Sequence, residues 1–493
     1  MRELELKWQV PDAIRPALRQ ELIRRGAKSS RLVARYFDTP QGLLAQHGVS
    51  LRLRKEGRRW FQTLKAGGTS AVDRLEHEVP RTAAAGAQPA LDLSLHDETS
   101  AGKVLRDALQ GAAGETLVQR FETDVQRLAV RFQWPDSELE AALDVGHVRA
   151  GEREAPILEL ELEHLAGGLD ELFELAQAWQ AHGQLWLDTR SKAKRGAALA
   201  DGHMQGAPIK ARAPLLDRDM SGHDLLRSVV TQALEQVLGN ASHVAAGSHE
   251  EEHVHQLRVG LRRLRTALRD LGSLGHGIES TWEAVLAQAF ARLGGIRDDD
   301  AVAAAVRGLL QQAGAPSLSW PAEAADKDSG AIVREQQFQR TLLEILKWTL
   351  TPAPPDAASA CPPSHLRQHL AGRLDKLHRQ VIKGGRAFEP LPTEGQHRVR
   401  KRLKRLRYLV EFVSALWPPK ATRRFLKRME PAQDALGHHN DVVVAAEKFK
   451  ADMQRDPQSS FAAGFLVAHR AVTARAARIA LDKMMDATRF WGQ

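Results

Sequence analysis

Glu3-Leu4-Glu5-Leu6-Lys7 and Glu159-Leu160-Glu161-Leu162-Glu163 alternate charge with leucine at every residue. Successive side chains of a β-strand point to opposite faces, so each segment carries one charged face and one leucine face. If the leucines are buried outward beneath helices, the charges project into an enclosed space, where carboxylates tolerate one another only beside cations. Other alternating segments supply those cations. Arg52 and Arg54 share a face of Ser50–Arg54, Lys65 shares one with Thr63 and Phe61, and Arg74 aligns with Glu76 and Glu78.

A chain of 493 residues exceeds one hydrophobic core and predicts two or three domains. Residues 1–203 read as β-rich, with strands at Ser50–Arg54, Trp60–Lys65, Arg74–Val79, Glu138–Asp144 and Ile157–Glu163. A turn at Lys55–Arg59 joins the first pair, and antiparallel pairing is the economical arrangement. Helices are expected over Asp12–Gly26, with Asp12 as cap and Gly26 as stop, and over Asp170–His182. Residues 204–220 read as a linker, which overlaps a stretch, Asp201–Asp219, that has no clear period. Residues 221–493 read as helices broken by the proline-rich stretches Ala313–Pro321 and Thr351–Pro363, in two repeats of about 221–350 and 364–485. The fold class is α+β, multidomain.

Seventy Lys and Arg against 61 Asp and Glu give a net charge of +9, which calls for an anionic partner: phosphate polymer, nucleic acid or membrane surface. The single cysteine, Cys361, has no partner for an intramolecular disulfide, as expected in a reducing compartment. No apolar run approaches a membrane span and the charged start is no secretory signal, so the expected location is the cytoplasm.

A triphosphate needs several guanidinium and ammonium groups to hold its charge, and carboxylates to hold a divalent cation that bridges its oxygens. The charged faces divide that labour. In this respect residues 1–203 resemble the CYTH family, the triphosphate tunnel metalloenzymes, through the E-x-E-x-K start at Glu3, Glu5 and Lys7. Further markers follow in order: Tyr36-Phe37-Asp38-Thr39-Pro40, Leu51-Arg52-Leu53-Arg54, Gln62-Thr63-Leu64-Lys65, Arg74 with Glu76, Arg127, Asp144 with Gly146, Glu159–Glu163 and Ser191-Lys192. The resemblance implies an eight-stranded antiparallel tunnel that hydrolyses a triphosphate with Mg2+ or Mn2+ or, in a cyclase branch, closes ATP to cyclic AMP. It implies catalysis at Glu3, Glu5 and Lys7, metal at Glu3, Glu5, Glu159, Glu161 and Glu163, and phosphate at Lys7, Arg52, Arg54, Lys65, Arg74, Arg127 and Lys192. Leu165 departs from the pattern, since many relatives place a Lys two residues beyond the last Glu of that strand.

The helical half contains a repeat. His255, Leu257, Arg258, Val259, Arg262, Leu264 and Arg265 recur 142 residues on as His397, Val399, Arg400, Lys401, Lys404, Leu406 and Arg407. On a helix the cations form one stripe, and Leu257, Leu261, Leu264 and Leu268 form another. From His397 through Arg407 there are seven Lys or Arg and no acid, a repulsion that an anionic polymer would relieve. Two histidines in register suggest a two-fold pocket in which imidazole donates to phosphate oxygens. The Asp298 and Asp441 segments are expected to pair with the arginines or cap helices. These helices resemble the CHAD family, which implies duplicated four-helix bundles around a basic channel for inorganic polyphosphate. The implied ligands are His255, Arg258, Arg262, Arg265, His397, Arg400, Lys401, Lys404 and Arg407. The stripes carry almost no aromatics for base stacking, Tyr408 excepted, which disfavours nucleic acid.

The resulting expectation is a divalent-metal-dependent inorganic triphosphatase joined to a polyphosphate-binding domain, in the cytoplasm and associated with polyphosphate granules. The alternatives are a non-catalytic protein that targets such granules and, less favoured, an adenylyl cyclase. Oligomeric state is not readable from the sequence.

Overall fold

The computed structural model describes residues 2–492 other than 69, 85–86, 111–115, 182–183, 249, 317–318, 322–327 and 353–360; at residues 2 and 295–301 it describes the backbone alone. The chain divides into two compact units. One comprises Met1–Lys210, Leu234–Leu257 and Ser329–Thr351; the other comprises Ala211–Ala233, Arg258–Asp328 and Pro352–Gln493.

The first unit is built on strands β1 (Arg2–Gln9), β2 (Lys28–Asp38), β3 (Ser50–Glu56), β4 (Arg59–Gly67), β5 (Asp73–Arg81), β6 (Val118–Gln133), β7 (Ser137–Ala150), β8 (Arg153–Gly167) and β9 (Trp186–Leu187). Their order is β5-β4-β3-β2-β6-β7-β8-β1-β9, and a further pairing of β5 with β1 closes eight of them into an antiparallel barrel. Closure leaves each strand an outer and an inner face. On the outside, Leu51 and Leu64 pack with Ala101, Leu105 and Ala108 of helix α3 (Ser100–Leu109) and with Leu44 of α2 (Leu43–Gln46). Burying each such leucine stabilises the fold by about 1.5–3 kcal/mol. Leu6 and Trp8 on β1 and Leu160 and Leu162 on β8 are fully buried on the same outward-facing register. The charged side chains therefore face the interior, as the alternation predicts.

One end of that interior is apolar. Leu32, Ala34, Tyr36, Phe121, Val125, Val148, Ala150 and Ile157 share a core with Leu199 of α5 (Lys192–Ala200), so this helix enters the barrel. This explains why β2 and β6 do not read as charge–leucine alternations: part of their inner face meets a helix instead of charge. The remaining helices of this half are α1 (Arg15–Arg24) and α4 (Asp170–Ala181). Helix α1 corrects one expectation. Its N-cap is Ile14, without a side-chain cap, and Pro16 sets the first turn, while Asp12 only approaches Arg15 at 3.8 Å. Gly26 does end it, at φ +86°.

Helices α6 (Gly222–Ala245), α7 (Glu251–Leu271), α8 (Ser280–Arg292), α9 (Gly294–Gln312), α10 (Ser329–Arg334), α11 (Gln336–Leu350), α12 (Pro363–Arg386), α13 (Thr393–Val413), α14 (Pro419–Asp452) and α15 (Ser459–Met485) make the rest helical. The bounds of α7 and α13 differ by 142 residues at both ends, and single 3-10 turns, Gly272–Leu274 and Ser414–Leu416, follow each at that spacing. Both leucine stripes are buried, including Leu257, Leu261, Leu264, Val399, Leu403 and Leu406. No helix or strand occurs in Asp201–Asp219, and the two proline-rich breaks lie partly outside the described residues. Among the described residues no helix is long and apolar enough to cross a membrane.

Helix α5 fits closely: a Cβ on Gly196 would lie 2.1 Å from the Phe121 ring. Gly196→Ala should therefore lower unfolding free energy by about 1–3 kcal/mol in urea titrations, the usual cost of overpacking. An unchanged midpoint would mean that α5 seats loosely.

Candidate active site

Register brings the two acidic strands together. Glu5 lies opposite Glu163, Lys7 opposite Glu161 and Gln9 opposite Glu159, while Asp144 of β7 lies opposite Glu159. Two carboxylate groups of different character result.

In the first, Asp144, Glu159 and Glu161 are buried and bring carboxylate oxygens within 4.8 Å of one another. Ser191 caps α5, its hydroxyl accepting the Lys194 N–H, which sets Lys192 at the helix start. The Lys192 ammonium sits 2.7 Å from Asp144 and from Glu161, and also touches Glu159. Arg127 grips Asp144 with two hydrogen bonds of 2.8 and 2.7 Å and touches Glu161. Lys7 lies 3.4 Å from Glu159 and donates to the Arg190 carbonyl, and Arg195 lies 3.5 Å from Glu159. Burial alone would raise the Glu161 carboxyl, but Lys192, Arg127 and Lys7 hold it well below the usual range. Burial likewise makes Asp144 costly to ionise, and Arg127 and Lys192 overcome that cost and hold its carboxyl below the usual range.

The second group is under-neutralised. Glu3 accepts two 2.7 Å hydrogen bonds from Lys65, which also approaches Glu76 at 3.3 Å. Glu5 is pushed up to about 7 by burial and by repulsion from Glu161 and Glu3, with Arg74 and Lys65 opposing. Glu163 rises to about 7 through burial and the charges of Glu3 and Glu5. A carboxyl raised by burial and by neighbouring like charge is a site where a hard cation can replace a proton. Nearby, Arg54 reaches both Glu78 oxygens at 3.1 Å, Thr63 donates to Glu78 at 2.8 Å and Arg52 donates to the Tyr36 hydroxyl at 3.3 Å.

The interior thus gathers Glu3, Glu5, Lys7, Arg52, Arg54, Lys65, Arg74, Arg127, Glu159, Glu161, Glu163 and Lys192, every candidate named for the barrel. It also holds carboxylates that alternation did not single out as ligands: Asp144, Glu76, Glu78 and Asp188. Asp144 sits in Ala141-Ala142-Leu143-Asp144-Val145, where no charge alternation signals it. Asp188 follows the two-residue β9, too short to show a period. Leu165 is explained by backbone: the β7–β8 register shifts at Glu138/Leu139, so Leu139 pairs with His164, Glu138 with Ala166, and Leu165 is left unpaired and 36% exposed.

On the helices, Arg258, Arg262 and Arg265 all lie over the Phe290 ring, at 5.1, 5.1 and 5.6 Å. The sequence stripe showed no such aromatic because Phe290 comes from α8. Arg265 also bonds Glu283 at 2.9 Å, and Arg407 bonds Glu411 at 2.7 Å. His397 donates from Nδ1 to Asn440 at 3.1 Å, and its pKa is lowered by burial and by Lys401. The neutral ring therefore presents Nε2 as an acceptor, and donates from it only when charged. His255, Arg400 and Lys404 are partly buried, Lys401 exposed. Burial raises Asp441 despite the charge of Arg400; the Asp298 side chain lies outside the described residues.

Residues 1–197 match the family model described as the CYTH domain, and residues 228–450 that described as the CHAD domain. An inorganic triphosphatase of Haemophilus influenzae is 31% identical over 211 residues, 40% of this chain and 55% of that protein, so the chain spans about half the length of this curated relative. An uncharacterized protein of Mycobacterium tuberculosis is 27% identical over 457 residues, 85% of this chain and 82% of the relative. The crystal structure of a CHAD domain from the plant Ricinus communis has 26% identity, covers 58% of this chain and 99% of its own, and superposes with a TM-score of 0.46.

Lys192→Met strands buried carboxylates and should lower stability at neutral pH by about 3–5 kcal/mol in metal-free buffer. The sign with pH follows from the depressed pKa values of Asp144 and Glu161: their pairing stabilises the fold above the ordinary carboxylate range and is lost as pH falls. The gap between the two proteins, read from urea unfolding, should narrow on acidification; a constant gap would contradict the pairing.

Proposed function

Because the chain carries a CYTH domain over residues 1–197 and a CHAD domain over residues 228–450, we propose that it hydrolyses inorganic triphosphate in the barrel and binds polyphosphate on the helices. The observation that carries the reading is the interior itself, where cations and carboxylates interleave at hydrogen-bonding distance. The reading assigns hydrolysis to residues 1–203, polyphosphate binding to 221–493 and a linker to 204–220.

Lys7, Arg52, Arg54, Lys65, Arg74, Arg127 and Lys192 hold the phosphate oxygens, and Lys7, Arg54, Lys65, Arg127 and Lys192 exchange carboxylate partners for substrate as they do so. Glu3, Glu5, Glu159, Glu161 and Glu163, joined by Asp144, offer the oxygen-only donor set that suits Mg2+ or Mn2+. Such a cation, when bound, neutralises phosphate charge and acidifies water. Glu5 and Glu163, whose carboxyls burial and neighbouring like charge push up to about 7 in the metal-free barrel, would exchange those protons for the cation. The closed barrel and α5 limit bulk water around these groups, which strengthens each charge contact. On α7 and α13 the arginines and lysines hold the polymer as a row of charges, with His397 contributing a hydrogen bond as its ring charges.

The test is phosphate release and cyclic AMP formation by the full chain with Mg2+ or Mn2+, offered triphosphate, ATP, thiamine triphosphate and long-chain polyphosphate. Triphosphate should be preferred, and Glu5→Gln should reduce its turnover at least about 100-fold. Undiminished turnover would refute the metal role of Glu5; no turnover of any substrate by the unmodified chain would favour a binding protein, and cyclic AMP a cyclase. Replacing His397, Arg400 and Lys404 together by alanine should weaken retention on immobilised polyphosphate and leave triphosphate turnover within about twofold. Equal loss of both would contradict separate sites.

A further inference from the structure

Strand β9 is an edge strand whose second edge is closed by side chains instead of another strand. Its first edge belongs to β1: Trp8 pairs with Leu187, Gln9 with Trp186, and the Asp188 N–H donates to the Lys7 carbonyl at 2.9 Å. Amide groups alternate in direction along an extended segment, so the N–H groups of Leu187 and Thr189 point away from β1. Left unpaired and buried they would destabilise the segment. The Leu187 N–H instead donates to Gln339 Oε1 at 2.9 Å and the Thr189 N–H to Ser242 Oγ at 3.0 Å.

Both acceptors are held in place. Gln339 donates to the Val333 carbonyl and Ser242 to the Leu238 carbonyl, each at 2.7 Å, and both side chains are buried. They belong to α11 and α6, outside the residues of the CYTH match but within the same compact unit as the barrel. Their effect reaches the charged interior through the segment they hold. Asp188 accepts from Gln9 at 2.9 Å and from the Arg190 side chain at 2.9 Å, and the Arg190 carbonyl receives the Lys7 ammonium. Arg190 donates in turn to Gln205 at 3.0 Å, whose oxygen also meets His243 at 2.8 Å. The same helices furnish Leu238 and Leu346 to a cavity that is lined also by Glu5, Lys7 and Arg74.

We propose that Ser242 and Gln339 are positioning residues of the barrel site: they stand in for a missing strand beside β9 and thereby fix the Lys7 ammonium where a phosphate oxygen must meet it. Neither touches substrate. Its consequence for turnover rests on the triphosphatase reading, whereas its structural content does not.

The experiment compares the full chain with Ser242→Ala, Gln339→Met and the conservative Ser242→Thr, by amide hydrogen exchange over residues 5–9 and 186–190 and by triphosphate kinetics with Mn2+. In Ser242→Ala and Gln339→Met, exchange in both segments should accelerate about tenfold or more. KM for triphosphate should rise about fivefold while kcat stays within twofold, because Lys7 contributes binding to ground and transition states alike. Ser242→Thr should restore both. Unchanged exchange at residues 5–9 overturns the proposal, as does an unchanged KM in a variant that unfolds at a lower temperature, which is the mark of a merely structural contact. If the unmodified chain turns over no triphosphate, the functional reading fails and the exchange data alone decide the positioning. Two independent variants keep the test open should one of them not fold.

Discussion

Everything in the barrel depends on placing like charges in a closed space and keeping them there. A carboxylate taken from water is costly to ionise unless cations and hydrogen bonds compensate it. Asp144, Glu159 and Glu161 meet that condition through Lys192, Arg127 and Lys7. Glu5 and Glu163 do not, and their carboxyls sit near 7 in consequence. The interior is therefore close to self-neutral along one stretch and short of positive charge along another. A bare triphosphate adds several negative charges to such a space, so the cations alone cannot accommodate it. Under the proposed reading, substrate enters together with a divalent cation, and the raised carboxyls mark where that cation replaces protons.

The covalent pattern that makes this possible is simple alternation. Leu6 and Trp8 on β1, Leu51 and Leu53 on β3, and Leu160 and Leu162 on β8 are buried outward, which fixes the register and commits the intervening charges to the inside. A slip by one residue would exchange the two sets entirely. Hydrophobic burial thus holds the charge array against its own repulsion. Helix α5 completes it by carrying apolar residues into one end and delivering Lys192 at its capped start.

Much of this was legible in the residues because period-two alternation reports both strand and face. The outward leucines and the gathering of Glu3, Glu5 and Lys65 follow from it, whereas the closed eight-stranded barrel and the places of Arg127, on a strand without that alternation, and of Lys192, at a helix start, were expected only from the resemblance to the CYTH family. Asp144 was less visible, since β7 is apolar on both sides of it and only the paired strand reveals that it faces Glu159. The fate of Leu165 depends on a bulge, a local register event that composition does not encode. Phe290 beneath Arg258, Arg262 and Arg265 is a contact between separate helices, invisible to a stripe drawn on one of them. Ser242 and Gln339 are polar residues in amphipathic helices with no motif around them; only the pairing of β9 gives them meaning.

The central claim, that the barrel's own carboxylates occupy its cations so that triphosphate binds only with a divalent ion, is most directly tested by calorimetric titration of a non-hydrolysable imido analogue of triphosphate into the full chain with Mn2+ and with a chelator. Polyphosphate bound on the helices is excluded by using the variant lacking His397, Arg400 and Lys404 side chains. The claim predicts saturable binding with Mn2+ that weakens at least about 100-fold in chelator, a difference of about 2.7 kcal/mol. Equal affinity in the two conditions would contradict it.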